Sequence, residues 1–302
     1  MAAEPLEIGE EDARPVHRPR PGHADLAGGL KYDRRDLRDI LERASARETA
    51  ARTAAGSLGR ALLAVFDVAV ASHVVRVGQV EVENPLEVPW EEIEKIPLDS
   101  PLGCVDPEVE ARMMSEVDRA REERDSVNGA FQVVARGVLP GLGSHVHWDR
   151  KLDGRLLQAL GSIPAVKAAS IGAGVEGASM RGSEFHDEIF HDEPSRRYVR
   201  RTNRAGGLEG GVTNGEEIRL TGFMKPLSTL ARPLRSVDIR THEAEEAAFE
   251  RTDTTAIRAA GVIGEAMVAW VLAEQWCEKF GGDSLDEMRR NVESYRDQMG
   301  RF

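Results

Sequence analysis

The sequence predicts an α+β protein, and three observations carry that prediction. β-Branched runs do not alternate strictly with helical runs, which argues against a doubly wound parallel sheet. The C-terminal stretch, from Thr255 onward, reads as helix alone. Between the strand-like runs lies a polar, glycine-dense stretch, Phe185 to Gly215, too long for a simple hairpin.

In chain order, residues 1–17 read as a polar lead-in, and residues 18–302 as a single domain. Pro19 to Gly22 is a turn. Asp33 to Phe66 has helical spacing, with Leu37, Ile40 and Leu41 first and then a small-residue face of Ala50, Ala54, Leu58, Ala61 and Leu62. Ser45 is a possible break within it. Val74 to Val82 reads as one strand, with Gly78 as a bulge. Asn84 to Pro107 holds five prolines and reads as a connecting loop. Pro107 to Arg124 is a helix with Val109, Met113, Met114 and Val117 on one side.

Ala130 to Val138 returns to strand, followed by a turn at Pro140 to Gly143. Asp153 to Ile163 is a helix that stops before Pro164. Val166 to Gly182 reads as a strand with bulges or a close backbone approach. Ile218 to Met224 and Ser236 to Arg240 are strands. Thr255 to Phe280 is a helix stopped by Gly281 and Gly282, and Ser284 with Glu287 forms a capping box that starts another.

Composition bounds the function. The chain has 302 residues, 41% hydrophobic and 30% charged, with 40 basic against 52 acidic residues and a net charge of −12. Nucleic-acid binders usually carry a basic surface, so no nucleic-acid partner is expected. Any anion must be met by locally gathered arginines. Cys104 and Cys277, far apart and outside any CxxC, give neither a disulfide framework nor a metal site. The start, MAAEPLEIGEEDARPVH, lacks an apolar core for a secretory signal, and Ala259 to Ala273 is too short to span a bilayer. A cytoplasmic protein without a membrane partner is the expectation.

Five constellations could carry chemistry. The Pro-Gly turn of Arg20 to His23 places a histidine able to move a proton near neutral pH, and Asp25 is close enough to orient its ring. A surface histidine in a loop is the plain alternative. Arg43, Ser45, Arg47, Thr49 and Arg52 gather three arginines and hydroxyls at a helix start. An anion site and a solvated face bridged by Glu42 and Glu48 both stand open.

Arg200 to Arg204 precede the glycine run AGGLEGGVTNG, which fits neither a dinucleotide-binding nor a P-loop pattern. Lys225, Pro226, Leu227, Ser228 and Thr229 follow a strand and suit a phosphate cradle, or form an ordinary turn. Arg251 and Asp253 precede the long apolar helix, as anion ligand and base, or with Asp253 or Thr254 as its N-cap. The five converge on a site for several phosphate-grade anions with one histidine and one carboxylate.

GHADLAGGLKY, ERASARETAARTAAGSL, SIPAVK, MRGSEFHDEI, TNRAGGLEGGVTNG, MKPLSTL and RTDTTAIRAAGVIGEAM, in this order, resemble chorismate synthase from about Arg18 to the C-terminus. The resemblance implies a β-α-β sandwich and a homotetramer. It also implies a 1,4-anti elimination of phosphate from 5-enolpyruvylshikimate 3-phosphate, giving chorismate, with reduced FMN and no net redox change. Some relatives reduce the flavin with NADPH themselves, and others depend on outside reduction.

Carried over residue by residue, the resemblance places Arg43, Ala44, Ser45, Pro164, Ala165, Gly211, Lys225, Pro226, Leu227, Ser228, Thr229 and Arg251 at the flavin. Arg20 and Arg47 fall at the substrate. His23 becomes the acid that handles flavin protonation, and Asp253 assists proton removal. Departures accompany it. The family's Gly-Glu-Ser-His-Gly segment, with its second histidine, has no match, so the family fold is expected to be incomplete at the N-terminus and turnover to be reduced. Pro164 stands for a usual Asn or Gln, Asn128 for a usual glycine and Thr252 for a usual serine. An inactive remnant and a non-catalytic interaction subunit are the rival readings.

Overall fold

Gly129–Arg136 (GAFQVVAR) is buried along almost its whole length, so both of its faces must be covered, and it is the middle of the fold. The structure, a computed structural model, describes residues 15–44, 47–194, 197–250 and 253–302. In chain order these form α1 (Asp25–Tyr32), α2 (Arg38–Ala44), α3 (Arg47–Ala64), β1 (Ala69–Val77), β2 (Val80–Glu81), α4 (Trp90–Glu94), α5 (Pro107–Glu122) and β3 (Gly129–Arg136). Next come α6 (Leu152–Gly161), β4 (Val166–Ile171), α7 (Gly174–Gly177), α8 (Gly182–Phe185), β5 (Ile189–Asp192), β6 (Arg197–Arg200), β7 (Leu208–Glu209) and β8 (Val212–Thr213). The chain closes with β9 (Ile218–Met224), β10 (Arg235–Val237), β11 (Ala244–Glu246), α9 (Ile257–Phe280) and α10 (Leu285–Met299).

One five-stranded sheet, β2-β1-β3-β9-β4, is antiparallel at every pairing. The other described strands form three two-stranded ribbons. The architecture is therefore α+β, as expected. Among the described residues there is one large sheet, so the second sheet of a sandwich is not among them.

Pleat decides what each face meets. Phe131 and Val133 point at α9, where Gly261 and Gly264 let the helix close on them: a Cβ on Gly264 would sit 2.7 Å from the Phe131 ring. Gln132 points the other way, with His73 and Arg219 beside it. The proline-rich connector covers that face, because Arg219 donates to the Val88 carbonyl at 2.7 Å and to the Pro85 carbonyl at 3.3 Å. That connector contains α4, which the reading as a plain loop missed.

Several expectations need correction. Val74 to Val82 is a hairpin, not one strand: Gly78, at φ 55°, is in its turn, and the register shift falls between Val74 and Arg76. Asp33 to Phe66 is broken, since Asp33 takes a left-handed conformation that ends α1 and α2 starts only at Arg38; the possible break at Ser45 lies outside the described residues. The buried stripe of α3 is Thr49, Gly56, Gly59 and Leu63, whereas Ala50, Ala54, Leu58 and Ala61 are exposed. Glycine, not alanine, sets that stripe: a Cβ on Gly56 would lie 2.5 Å from the Ala266 backbone, so α3 and α9 approach almost backbone to backbone.

Phe185 to Gly215 folds into the β5–β6 and β7–β8 ribbons. The lead-in is held at its end, where Val16 is buried and exchanges bonds with Asp36 and Leu37. α10 starts on Ser284 as expected, and α5 starts at Pro107 with Asp106 as a cap that the sequence reading did not name.

Candidate active site

Gly22 (φ 79°) turns the chain so that His23 faces Asp25, the first residue of α1. The His23 Nδ1 lies 2.5 Å from Asp25 Oδ1. Asp25 is completely buried, and a buried carboxylate needs partners. Arg20 supplies them: its backbone N–H and Nε donate to Oδ2 at 3.1 and 2.9 Å, and a terminal nitrogen donates to Oδ1 at 3.2 Å. Burial alone would raise the Asp25 pKa, but the bonds from His23 and Arg20 outweigh it and hold the carboxyl below the ordinary range.

The same guanidinium donates to Thr229 Oγ1 at 2.7 Å, which ties the histidine turn to the segment after β9. There Lys225 Nζ donates to Ser228 Oγ at 3.0 Å, and a Cβ on Gly22 would stand 3.8 Å from both Nζ and that Oγ. Burial, and then the neighbouring Lys167 ammonium, push the Lys225 pKa below the ordinary lysine value. Lys225 Nζ has a hydroxyl and a carbonyl as its hydrogen-bond partners among the described residues, and the lysine, Ser228 and the bare Gly22 face suit an incoming anion.

Asn128 locks the turn to the helix entry. Its amide nitrogen donates to the Lys225 carbonyl at 3.0 Å, while its oxygen accepts from Thr255 Oγ1 and the Ala256 N–H. Thr255 Oγ1 in turn accepts from the Ile257 N–H at 3.3 Å. Thr255, not Asp253 or Thr254, therefore satisfies the start of α9. Asp253 is exposed and lines a cavity of about 500 Å³ together with Thr229, Arg124 and Phe249. Ser126 Oγ donates to the Leu227 carbonyl at 2.8 Å and fixes the middle of the turn.

Two further segments join from the other side. Ala165, at φ 66°, accepts the Lys225 N–H at 3.0 Å, so it and Pro164 border the turn. Arg52 of α3 reaches Ser162, just before Pro164, at 2.7 Å and also pairs with Glu48 at 2.8 Å. Arg47 is exposed and pairs with Glu42 at 2.5 Å, so the bridging by Glu42 and Glu48 that stood open is present. Arg43 and Ala44 close α2, and Arg43 is exposed. Ser45 and Arg251 lie outside the described residues.

Gly211 is not brought to this cluster. Its carbonyl accepts from Leu152, and its hairpin abuts the Ile218 end of β9, whereas Lys225 follows the other end. At about 3.3 Å per residue the two are separated by about 20 Å along the strand. Arg200, Thr202, Asn203 and Arg204 are engaged by their own loop, through Glu209, Asp187 and Glu217.

Sequence reasoning missed Asn128 as a tie, and Lys167 and Ser162 as neighbours. The Ser126-Val127-Asn128 lead into a strand was the available signal. A larger cavity, about 720 Å³ between α3, β1 and α9, contains none of the residues chosen from the sequence. Among the described residues no cluster of His, Cys, Asp and Glu suits a metal, and no helix is long and apolar enough to cross a membrane.

The chain as a whole is similar to known proteins. A family model described as chorismate synthase matches residues 8–277. The chorismate synthase of Solibacter usitatus is 54% identical over 96% of this chain and 75% of its own length. That of Carboxydothermus hydrogenoformans is 52% identical over 97% of this chain and 75% of its own length. A crystal structure of chorismate synthase superposes with a TM-score of 0.79 at 41% identity, covering 92% of this chain and 77% of that one. Such agreement across nearly the whole chain favours the enzyme over an inactive remnant, and the chain belongs to the chorismate synthase family of carbon–oxygen lyases.

Proposed function

We propose that the histidine turn and the segment after β9 form one site, at which phosphate is eliminated from 5-enolpyruvylshikimate 3-phosphate to give chorismate. The observation that carries this is the Arg20–Thr229 bond, which puts His23 and the Lys225–Thr229 turn side by side. The substrate class and the lyase chemistry are those of the family.

The residues fit FMN. Lys225 and Ser228 offer a cation and a hydroxyl beside a glycine that leaves room, and Ala165 and Pro164 border them. Thr229, Pro226 and Leu227 shape the same turn, and we extend the flavin site to Arg43, Ala44, Ser45 and Arg251 on the resemblance of their motifs alone. When bound, reduced FMN supplies electron density to the allylic centre as the phosphate leaves. His23 holds the proton needed near the flavin at Nε2, the ring nitrogen turned away from Asp25. Lys225 offsets anionic charge in a partly water-excluded turn, where it counts for more than in bulk water. Asp253, at the rim, receives a proton. Arg47 is given a substrate contact on the resemblance alone. We extend the family's homotetramer and cytoplasmic location to this chain on the same resemblance.

The experiment is anaerobic incubation of the chain with 5-enolpyruvylshikimate 3-phosphate and either reduced or oxidised FMN. Equal amounts of chorismate and phosphate are expected with reduced FMN alone. Phosphate release without chorismate, or equal rates with oxidised FMN, would contradict the proposal.

A further inference from the structure

Asp25 has no solvent exposure, yet both of its oxygens are committed, Oδ2 to Arg20 and Oδ1 to Arg20 and His23. An ion pair with Arg20 alone would suffice to fix the turn. The 2.5 Å approach of His23 Nδ1 to Oδ1 adds something that the turn does not need. An ionised carboxylate only accepts, so Nδ1 must carry the hydrogen. The Arg20 terminal nitrogen, 3.0 Å from Nδ1, then shares no proton with it, and both donors converge on the same Oδ1. With Nδ1 so occupied, the proton that can be exchanged is at Nε2. The ring is 19% exposed at its side chain, enough for that nitrogen to meet a ligand.

We infer that Asp25 is a positioning residue that holds His23 as the Nδ1–H tautomer with Nε2 outward, and that Arg20 is the strut fixing Asp25 through Thr229. This rests on the reading of His23 as the proton-holding group. Arg20 is only 7% exposed, and its Nε and both terminal nitrogens already have partners within the protein. It is therefore built to brace the carboxylate more than to receive substrate. With Nδ1 engaged by the carboxylate, Nε2 is the nitrogen left to take up a proton from a ligand and to give it back. General acid–base assistance is worth roughly 10²–10⁴ in rate, which sets the scale of its loss.

The test uses the full chain with ¹⁵N-labelled histidine, His23 being assigned by difference from His23→Gln. The neutral ring is expected to be protonated at Nδ1, and a ring protonated at Nε2 overturns the inference whatever the activity. Folded Asp25→Asn is expected to lose about 10²–10⁴ in kcat, with KM and FMN affinity within about threefold. Full turnover in that variant also overturns the inference. If Asp25→Asn fails to fold, the wild-type tautomer decides. Full turnover in His23→Gln overturns the role of His23 itself and takes this inference with it, which separates the two failures.

Discussion

Arg20 and Thr229 are 209 positions apart in sequence and 2.7 Å apart in space, joined by a guanidinium-to-hydroxyl bond. It joins the turn that carries His23 to the turn that carries Lys225.

Removing the lysine tests the cradle. Lys225→Ala is expected to weaken FMN binding by roughly 1.5–3 kcal/mol, the worth of a charge-assisted hydrogen bond, which is about ten- to a hundredfold in affinity. Flavin fluorescence titration reads it. Unchanged affinity would place the flavin elsewhere.

Asn128 ties β3 to both the lysine turn and the entry of α9. Asn128→Ala leaves the Lys225 carbonyl and the Ala256 N–H without these partners, at a cost of about 1–3 kcal/mol for each group that stays buried. Thermal unfolding should shift down by several degrees, and flavin binding should weaken with it. A variant as stable as the parent would show that solvent replaces the amide.

The α3–α9 contact depends on glycine. Gly56→Val would drive a side chain into the Ala266 backbone, so a loss of roughly 1–3 kcal/mol or more is expected in denaturant unfolding. Leu58→Ala, on the exposed face of the same helix, should change stability little. Equal effects of the two would reverse the assigned faces.

His73 gives a pH signature. Burial pushes its pKa down to about 4, with the Gln132 bond opposing and Arg219 reinforcing the shift. The unfolded chain takes up the proton near pH 6.5, so between about 6.5 and 4 unfolding binds more protons than folding. Stability is full above that window and falls as the pH drops through it. His73→Leu should flatten this stretch of the stability curve, and an unchanged slope would assign the acid sensitivity to other groups.

The elements with strong periodicity were legible in the sequence. α5, α9 and α10 stand within a few residues of where their apolar spacing and caps put them, and the α+β class followed from their order. α1 was not legible, because Gly28 and Gly29 lower helix propensity. They are there for contact, since a Cβ on either would meet Ile40 or Leu37. α3 was misread for the same reason, alanines standing out where glycines pack.

Residue types chosen for anions pointed to two turns that the structure brings side by side, but not to which arginine is spent internally. Arg20 and Arg47 look alike in sequence; one is buried on Asp25, and the other is exposed and paired with Glu42. Gly211 shows the limit of motif order, because neighbours along the motif lie at opposite ends of β9.

The central claim, that the two turns form one flavin site, is tested most directly by a crystal structure of the chain with FMN. The flavin phosphate is expected within hydrogen-bonding distance, about 3 Å, of Lys225 or Ser228, with His23 Nε2 facing the ring. Flavin bound instead in the cavity between α3, β1 and α9, with the two turns empty, would contradict it.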